Sequence, residues 1–177
     1  TDNILTFTGN ENWFGSEIFT VSVSDGFLSS STVFTVIVVP INDPPILYNL
    51  TDFSFDEDNT GALNVYGYDV EGDDLIYSII GGENISVYED NGEFLFSSII
   101  NWNGSEEFNV IVSDGEFEDS EIINVVVNPI NDPPQIISTS PSSFEASIGY
   151  SYQINVTDVD QDAITYDLIE APLAMSI

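Results

Sequence analysis

Two short runs in this chain have the residue types and spacing to hold a metal ion: Asp69-x-Glu71-x-Asp73 and Asp158-x-Asp160-x-Asp162. Each sets three carboxylates at alternate positions in a turn between two expected strands. Calcium is a hard cation that takes roughly six to eight oxygens, and a turn with acids at i, i+2 and i+4 can wrap several of them around one ion. Asp is also a favoured turn residue with its side chain in water, so the competing reading of each run is a solvated acidic turn.

No basic side chain answers these acids. Of 177 residues, 31 are Asp or Glu and none is Lys, Arg or His, for a formal charge of −31. No carboxylate can therefore pair with a cationic side chain of its own chain. Repulsion within the Debye length of about 8 Å has to be relieved by bound or diffuse cations. Nucleic acid is excluded as a partner and direct membrane contact is not expected, because binding to phosphates relies on Lys and Arg. Zero Cys removes disulfides and thiolate chemistry, and with His and Lys also missing the usual proton shuttles are gone. With 42% hydrophobic residues, including 12 Phe, 8 Tyr and 2 Trp, the chain still carries enough apolar bulk for a packed core. No apolar run approaches the roughly 20 residues of a membrane span, and any targeting or anchoring segment is expected outside this stretch.

The acidic turns sit in a repeat. Pro40-Ile41-Asn42-Asp43-Pro44-Pro45 returns as Pro129-Ile130-Asn131-Asp132-Pro133-Pro134, and 129 − 40 gives a period of 89. The same offset pairs Trp13 with Trp102, Gly15 with Gly104, Phe19 with Phe108 and Ser24-Asp25-Gly26 with Ser113-Asp114-Gly115. Adjacent prolines lock φ, remove two backbone donors and push the preceding Asp into an extended conformation, so both copies are joints rather than parts of a sheet. The expected organisation is residues 1–43 as the C-terminal half of one repeat, 44–132 as a complete repeat and 133–177 as the N-terminal part of a third. That third piece holds only the first strands and is expected to bury its apolar face poorly on its own.

The complete repeat has the pattern of an all-β module. Short β-branched and aromatic runs at 46–50 with a continuation at 53–55, then 61–68, 75–80, 85–89, 94–98, 108–113 and 122–127 are separated by turn residues. This predicts a seven-stranded Greek-key sandwich of immunoglobulin type. Residues 17–24 and 31–39 predict a hairpin around Asp25-Gly26. In such a sandwich the turn carrying Asp69, Glu71 and Asp73, the loop carrying Asp114 and the incoming joint carrying Asn42 and Asp43 share one end. Five acids and an amide are thus expected in a small volume, where a divalent ion is the simplest way to neutralise them. Scattered acids such as Glu118 and Asp119 are expected to be solvated. Trp13 and Trp102 are expected to plug the bottoms of their sandwiches rather than to stack on sugars, and Tyr66 and Tyr68 to sit on one strand without binding a ligand.

The run Val-Ser-Asp-Gly-x6-Val-Phe-Thr-Val-Ile-Val-Val-Pro-Ile-Asn-Asp-Pro-Pro, with Asp-x-Glu-Gly-Asp-Asp-Leu-Ile-Tyr-Ser-Ile, resembles the cadherin-like repeats of large microbial surface proteins and adhesins. The third copy, with Asp158 to Asp167 and Ala171-Pro172-Leu173, resembles the dystroglycan-type variant. The resemblance implies calcium at each junction. By it, the first junction would use Asn42, Asp43, Asp69, Glu71 and Asp114; the second would use Asn131, Asp132, Asp158 and Asp160, with Asp56 or Glu57 from the repeat above. Asp25 matches Asp114 but would serve a junction upstream of Thr1. The acidic DRE-type motif of animal cadherins is absent, with Asn101-Trp102-Asn103-Gly104 near its place, and the number of ions per joint stays open.

The expected function is that of an extracellular, calcium-stiffened spacer in a large surface adhesin, non-catalytic, whose partners are calcium ions and the neighbouring repeats. A cell-surface protein or glycan would be met by modules outside this stretch. The competing class is a carbohydrate-binding accessory module of a secreted polysaccharide-degrading enzyme, which an exposed row of aromatics on one sheet would favour. Paired carboxylates can run glycoside hydrolysis, but here they lie in shallow repeated turns without an expected cleft.

Overall fold

The computed structural model describes residues 4–140, 143, 145 and 150–170. Among them there is no helix, and thirteen strands follow one another. A hairpin comes first, β1 (Gly15–Ser24) paired antiparallel with β2 (Ser29–Val38). Nine strands then belong to the middle of the chain: β3 (Ile46–Leu47), β4 (Phe53–Asp56), β5 (Thr60–Leu63), β6 (Gly67–Tyr68), β7 (Ile76–Gly81), β8 (Ile85–Asp90), β9 (Glu93–Ser98), β10 (Gly104–Ser113) and β11 (Glu118–Asn128). The last pair is β12 (Gln135–Ile136) with β13 (Val156–Thr157).

The middle strands make an immunoglobulin-like β-sandwich. One sheet has the order β4-β11-β10-β7; facing it are β5-β9-β8 and the short pair β3-β6. The period of two in the sequence decides which side chains meet. Phe108, Val110 and Val112 of β10 and Ile123, Val125 and Val127 of β11 all point inward and are fully buried. They pack against Ile85, Phe94 and Phe96 of the other sheet, with the Phe96 and Phe108 rings edge to face at 5.2 Å. Trp102 packs on this cluster, as expected of a plug. Gly104 lies beneath its ring, where a Cβ would stand 2.8 Å from the indole.

The repeat is preserved in three dimensions. Gly15↔Val38 through Ser24↔Ser29 in the first hairpin is the register of Gly104↔Val127 through Ser113↔Glu118 in the sandwich, shifted by 89. Three expectations need correction. The strand expected over 61–68 is broken: Gly61 to Leu63 pair with β9, whereas Tyr66 accepts from the Tyr48 N–H at 2.9 Å and Tyr68 lies opposite Ile46. The chain changes partners at Asn64–Val65, and Tyr66 and Tyr68 both face solvent beside Tyr48. β10 begins at Gly104 rather than Phe108, because Gly104 to Glu107 continue the ladder with Asn124 to Val127. Finally, the strand expected over 46–50 ends at Leu47.

Candidate metal-binding junctions

At the first junction the downstream module grips the joint with its acidic turn. Asp69 is only 4% exposed, and its Oδ1 accepts hydrogen bonds from the N–H groups of Gly72 (2.9 Å) and Asp73 (3.1 Å). Gly72 has φ +81°, which lets the turn close over this carboxylate. Its second oxygen, Oδ2, is buried with no hydrogen-bond partner. Glu71 reaches back to the joint and accepts from the Asp43 N–H at 3.0 Å. Asp114 uses Oδ1 to cap the N–H groups of Glu116 and Phe117, both at 2.7 Å, and Oδ2 to accept from the Asn42 amide at 2.9 Å.

The second junction repeats this grip and adds acids from the module above. Asp160 accepts from the Asp132 N–H at 2.6 Å, the counterpart of Glu71 and Asp43 at the 89-residue offset. Asp158 Oδ1 accepts from Asp162 N–H at 3.0 Å, and Gln161 takes the positive φ that Gly72 has in the other copy. From above, Glu57 is buried at 3% exposure and accepts from the Ile130 N–H at 2.7 Å through Oε1. Its Oε2 is buried and unpartnered, and so is Asp132 Oδ2. Partial burial, followed by the charges of Asp58, Asp160, Glu57 and Asp158, pushes the Asp132 carboxyl above the usual carboxylate range. No cationic side chain is present in this chain to offset these charges.

The candidate residues divide by what their side chains do. Glu57, Asp69 and Asp132 are those with a buried, unanswered oxygen. Asn42, Asp43, Glu71, Asp114, Asp158 and Asp160 stand around them. Asp73 and Asp162 give backbone N–H groups to their turns while their side chains are exposed. Asp56 is exposed and accepts from the Asn128 amide at 3.1 Å, and Asn131, also exposed, turns its own amide toward the Asp132 carbonyl at 3.4 Å. Asp58 went unnoticed at the sequence level. It occupies a left-handed conformation, φ 60°, accepts from the Asn101 N–H at 3.0 Å, and its charge helps push the Asp132 carboxyl up. Among the described residues no group of three or more acidic side chains is set close enough to serve as a ready-made metal cage.

Elsewhere the carboxylates bond to backbone N–H groups. Asp119, expected to be solvated, instead accepts from the Leu47 N–H at 2.8 Å. Glu121 accepts from Leu50 (2.9 Å) and Asp52 from Asn124 (2.8 Å), so acids tie the entering segment to β11 where no ladder runs. Glu106 takes the N–H groups of Glu83, Asn84 and Ile85 together with the Asn84 amide. Burial pushes its carboxyl up, but the hydrogen bonds, led by those of Asn84, outweigh this and hold it below the usual range.

Two facing sheets with parallel β4–β11 pairing define the class as an immunoglobulin-like sandwich, and residues 42–126 match the family model described as a bacterial Ig domain. Similar solved structures include an endo-fucoidan hydrolase of glycoside hydrolase family 107, with 26% identity and a TM-score of 0.37 over 64% of this chain and 18% of that one. Titin domain M7 shows 16% identity and a TM-score of 0.35, covering 51% of this chain and 99% of the domain. Domains 1–6 of the surface layer protein SbsC show 17% identity and a TM-score of 0.41, covering 70% of this chain and 18% of that one. The chain thus spans less than a fifth of the length of the hydrolase. A search of curated proteins found no match.

Proposed function

We propose that this chain is a calcium-stiffened spacer segment of a large extracellular repeat protein of the cadherin-like kind, serving cell or surface adhesion. One observation carries the proposal. At the second joint the charges of Asp58 and Glu57 from one module and of Asp160 and Asp158 from the next act on Asp132, and two of these five carboxylates keep a buried oxygen without a partner. Burying a charged oxygen without an answering charge or donor is costly, and carboxylate oxygens are what calcium prefers. Bound calcium would supply positive charge shared by both modules, drawing together Glu57, Asp132, Asp158 and Asp160, which do not stand as a ready-made cage, with Asp58 adding to the negative field. At the first joint Asp69, Glu71, Asp43 and Asp114 would play the same part. On this reading the chain is a structural element rather than an enzyme, and it works outside the cell, where calcium is plentiful.

Thermal melting and small-angle scattering across a calcium titration at constant ionic strength test the proposal. The expected result is a higher melting temperature and a longer, less variable particle with calcium. Indistinguishable curves in calcium and in chelator reject it. Asp43→Asn with Asp69→Asn should remove the response of the first joint only.

A second reading has its own support. Tyr48, Tyr66 and Tyr68 all lie exposed along the β3-β6 pair, where Tyr48 bonds to Tyr66 and Tyr68 lies opposite Ile46. Such a row is what a glycan-stacking surface of an accessory module requires. Affinity electrophoresis through gels containing soluble algal or plant polysaccharides decides this: retardation lost on Tyr66→Ala favours the accessory module, and unretarded migration in every gel removes it.

A further inference from the structure

Leu47 and Val65 point into the core of the complete sandwich, which turns Ile46, Tyr48 and Tyr66 outward, with Tyr68 two residues further on. Tyr68 lies opposite Ile46 and Tyr48 bonds to Tyr66, so the four side chains share one solvent face. The third copy offers a comparison within the chain. There Gln135 lies opposite Thr157 and the Ile137 N–H bonds to the Asn155 carbonyl at 2.9 Å, the same pairing at the 89-residue offset. Where the complete copy has Tyr48, Tyr66 and Tyr68, the third has Ile137, Asn155 and Thr157. The pairing does not require the rings, and their presence in one copy calls for another reason.

Acids share that outer face. Asn64 and Tyr66 are both exposed on either side of the buried Val65, and the Asn64 amide donates to Glu93 at 3.3 Å. Phe94 is buried, which turns Glu93 outward with them. Asp90 lies directly opposite Glu93 across β8 and β9, and the exposed Tyr88 precedes it by two residues. Like charges set opposite each other on adjacent strands destabilise a sheet. With no Lys, Arg or His anywhere in the chain, only a cation from outside can answer Asp90 and Glu93.

We infer that this face binds a polysaccharide whose sugars carry free amino groups. The flat C–H face of a sugar ring packs on a Tyr ring, while the phenolic hydroxyls of Tyr48, Tyr66 and Tyr68 bond to the sugar's own hydroxyls. Its ammonium groups meet Glu93 and Asp90, and a cation over a Tyr face is attracted by the ring as well. Sulfated or uronic-acid polymers are repelled by a chain of charge −31, which leaves amino sugars as the complementary class. The inference rests on the second reading of the tyrosine row, as a sugar surface, and adds the charge of the sugar. It does not depend on calcium at the joints, since a spacer can carry such a face on its flank.

Isothermal titration of the full 177-residue chain in mildly acidic buffer, where sugar amines are protonated, tests this with oligomers of equal length. The probes are β-linked glucosamine, its N-acetylated form and lysine. The glucosamine oligomer is expected to bind at least about tenfold more tightly than the acetylated one, and Tyr66→Ala and Glu93→Gln each to weaken it by about tenfold. Tyr66→Ala leaves the net charge untouched, so unchanged binding in that variant means attraction to the overall charge alone and overturns the inference. Equal affinity for the acetylated oligomer also overturns it, while leaving the second reading in place with an uncharged sugar. Oligolysine that binds as tightly and loses as much on Tyr66→Ala makes the face a peptide site, again against the inference. Binding to neither sugar overturns it too, and the polysaccharide gels then decide the second reading by themselves. An unshifted melting transition in both variants checks that they fold.

Discussion

Asp132→Asn should act in opposite directions depending on whether calcium is present. In chelator, Asp132 is held among Asp58, Asp160, Glu57 and Asp158, and its charge is unfavourable there. The amide keeps the shape and one acceptor oxygen, and the backbone N–H to Asp160 is untouched. The variant should melt at or above the wild-type temperature. With calcium, on the proposed reading, the same change removes a charged ligand. A ligand at a hundredfold excess over its Kd stabilises the folded state by about 2.7 kcal/mol. For a module of this size each kcal/mol moves the melting temperature by roughly 4–8 °C, so the wild type should gain roughly 11–22 °C. A tenfold weaker site forfeits about 1.4 kcal/mol of that, or roughly 6–11 °C. Differential scanning calorimetry of both proteins, with calcium and with chelator at matched ionic strength, reads all four values. The reasoning is refuted if the variant is less stable than wild type in chelator, or if calcium raises both proteins equally.

Other outcomes follow from the same structure. Asp25 and Asp114 are held below the usual carboxylate range, Asp25 chiefly by the Leu28 and Phe27 N–H groups and Asp114 chiefly by that of Phe117. A lowered pKa gives stability that is full above the unfolded value and lost as pH falls through the folded one. The raised Asp132 works the other way, its cost disappearing as pH falls through its elevated pKa. Melting in chelator should therefore improve slightly on mild acidification before collapsing at lower pH, while the stabilisation by calcium shrinks steadily; a calcium effect unchanged into the carboxylate range would contradict this. Glu106→Ala frees the N–H groups of Glu83, Asn84 and Ile85 and should cost about 2 kcal/mol in urea denaturation, with Glu106→Gln recovering part of it. Phe96→Ala, at the fully buried centre of the core, should cost about 3–5 kcal/mol with an unchanged calcium midpoint, provided the variant folds.

The architecture could be read in the sequence because it is written more than once. The 89-residue offset carries the joint, the Asp-Gly turns and the alternation of Phe108, Val110 and Val112, and each of these is a local pattern with a local physical cause. The acidic turn was legible for the same reason: Asp69 bonds to residues three and four positions on. What escaped was long-range. Asp119 meets Leu47 across 72 positions and Glu106 meets Asn84 across 22, and no spacing in the chain announces either contact. Asp58 was passed over because its importance comes from the effect of its charge on Asp132, 74 positions away, which only the folded joint reveals. The exposure of Tyr66 beside Tyr48 depended on a change of strand partner at Asn64–Val65 that residue types alone do not signal.

The parallel pairing of β4 with β11 has a mechanical consequence. The complete repeat is entered through β3 and left just after β11, and β4 and β11 lie side by side from Phe53 opposite Val125 to Asp56 opposite Asn128, extended by the Glu57 N–H to the Asn128 carbonyl. A pull on the two ends slides these strands past each other lengthwise, so their backbone bonds are strained together and must break together rather than unzip singly. Tension that reaches β4 and β11 is thus met by a shear clamp that includes the core residues Phe55, Val125 and Val127.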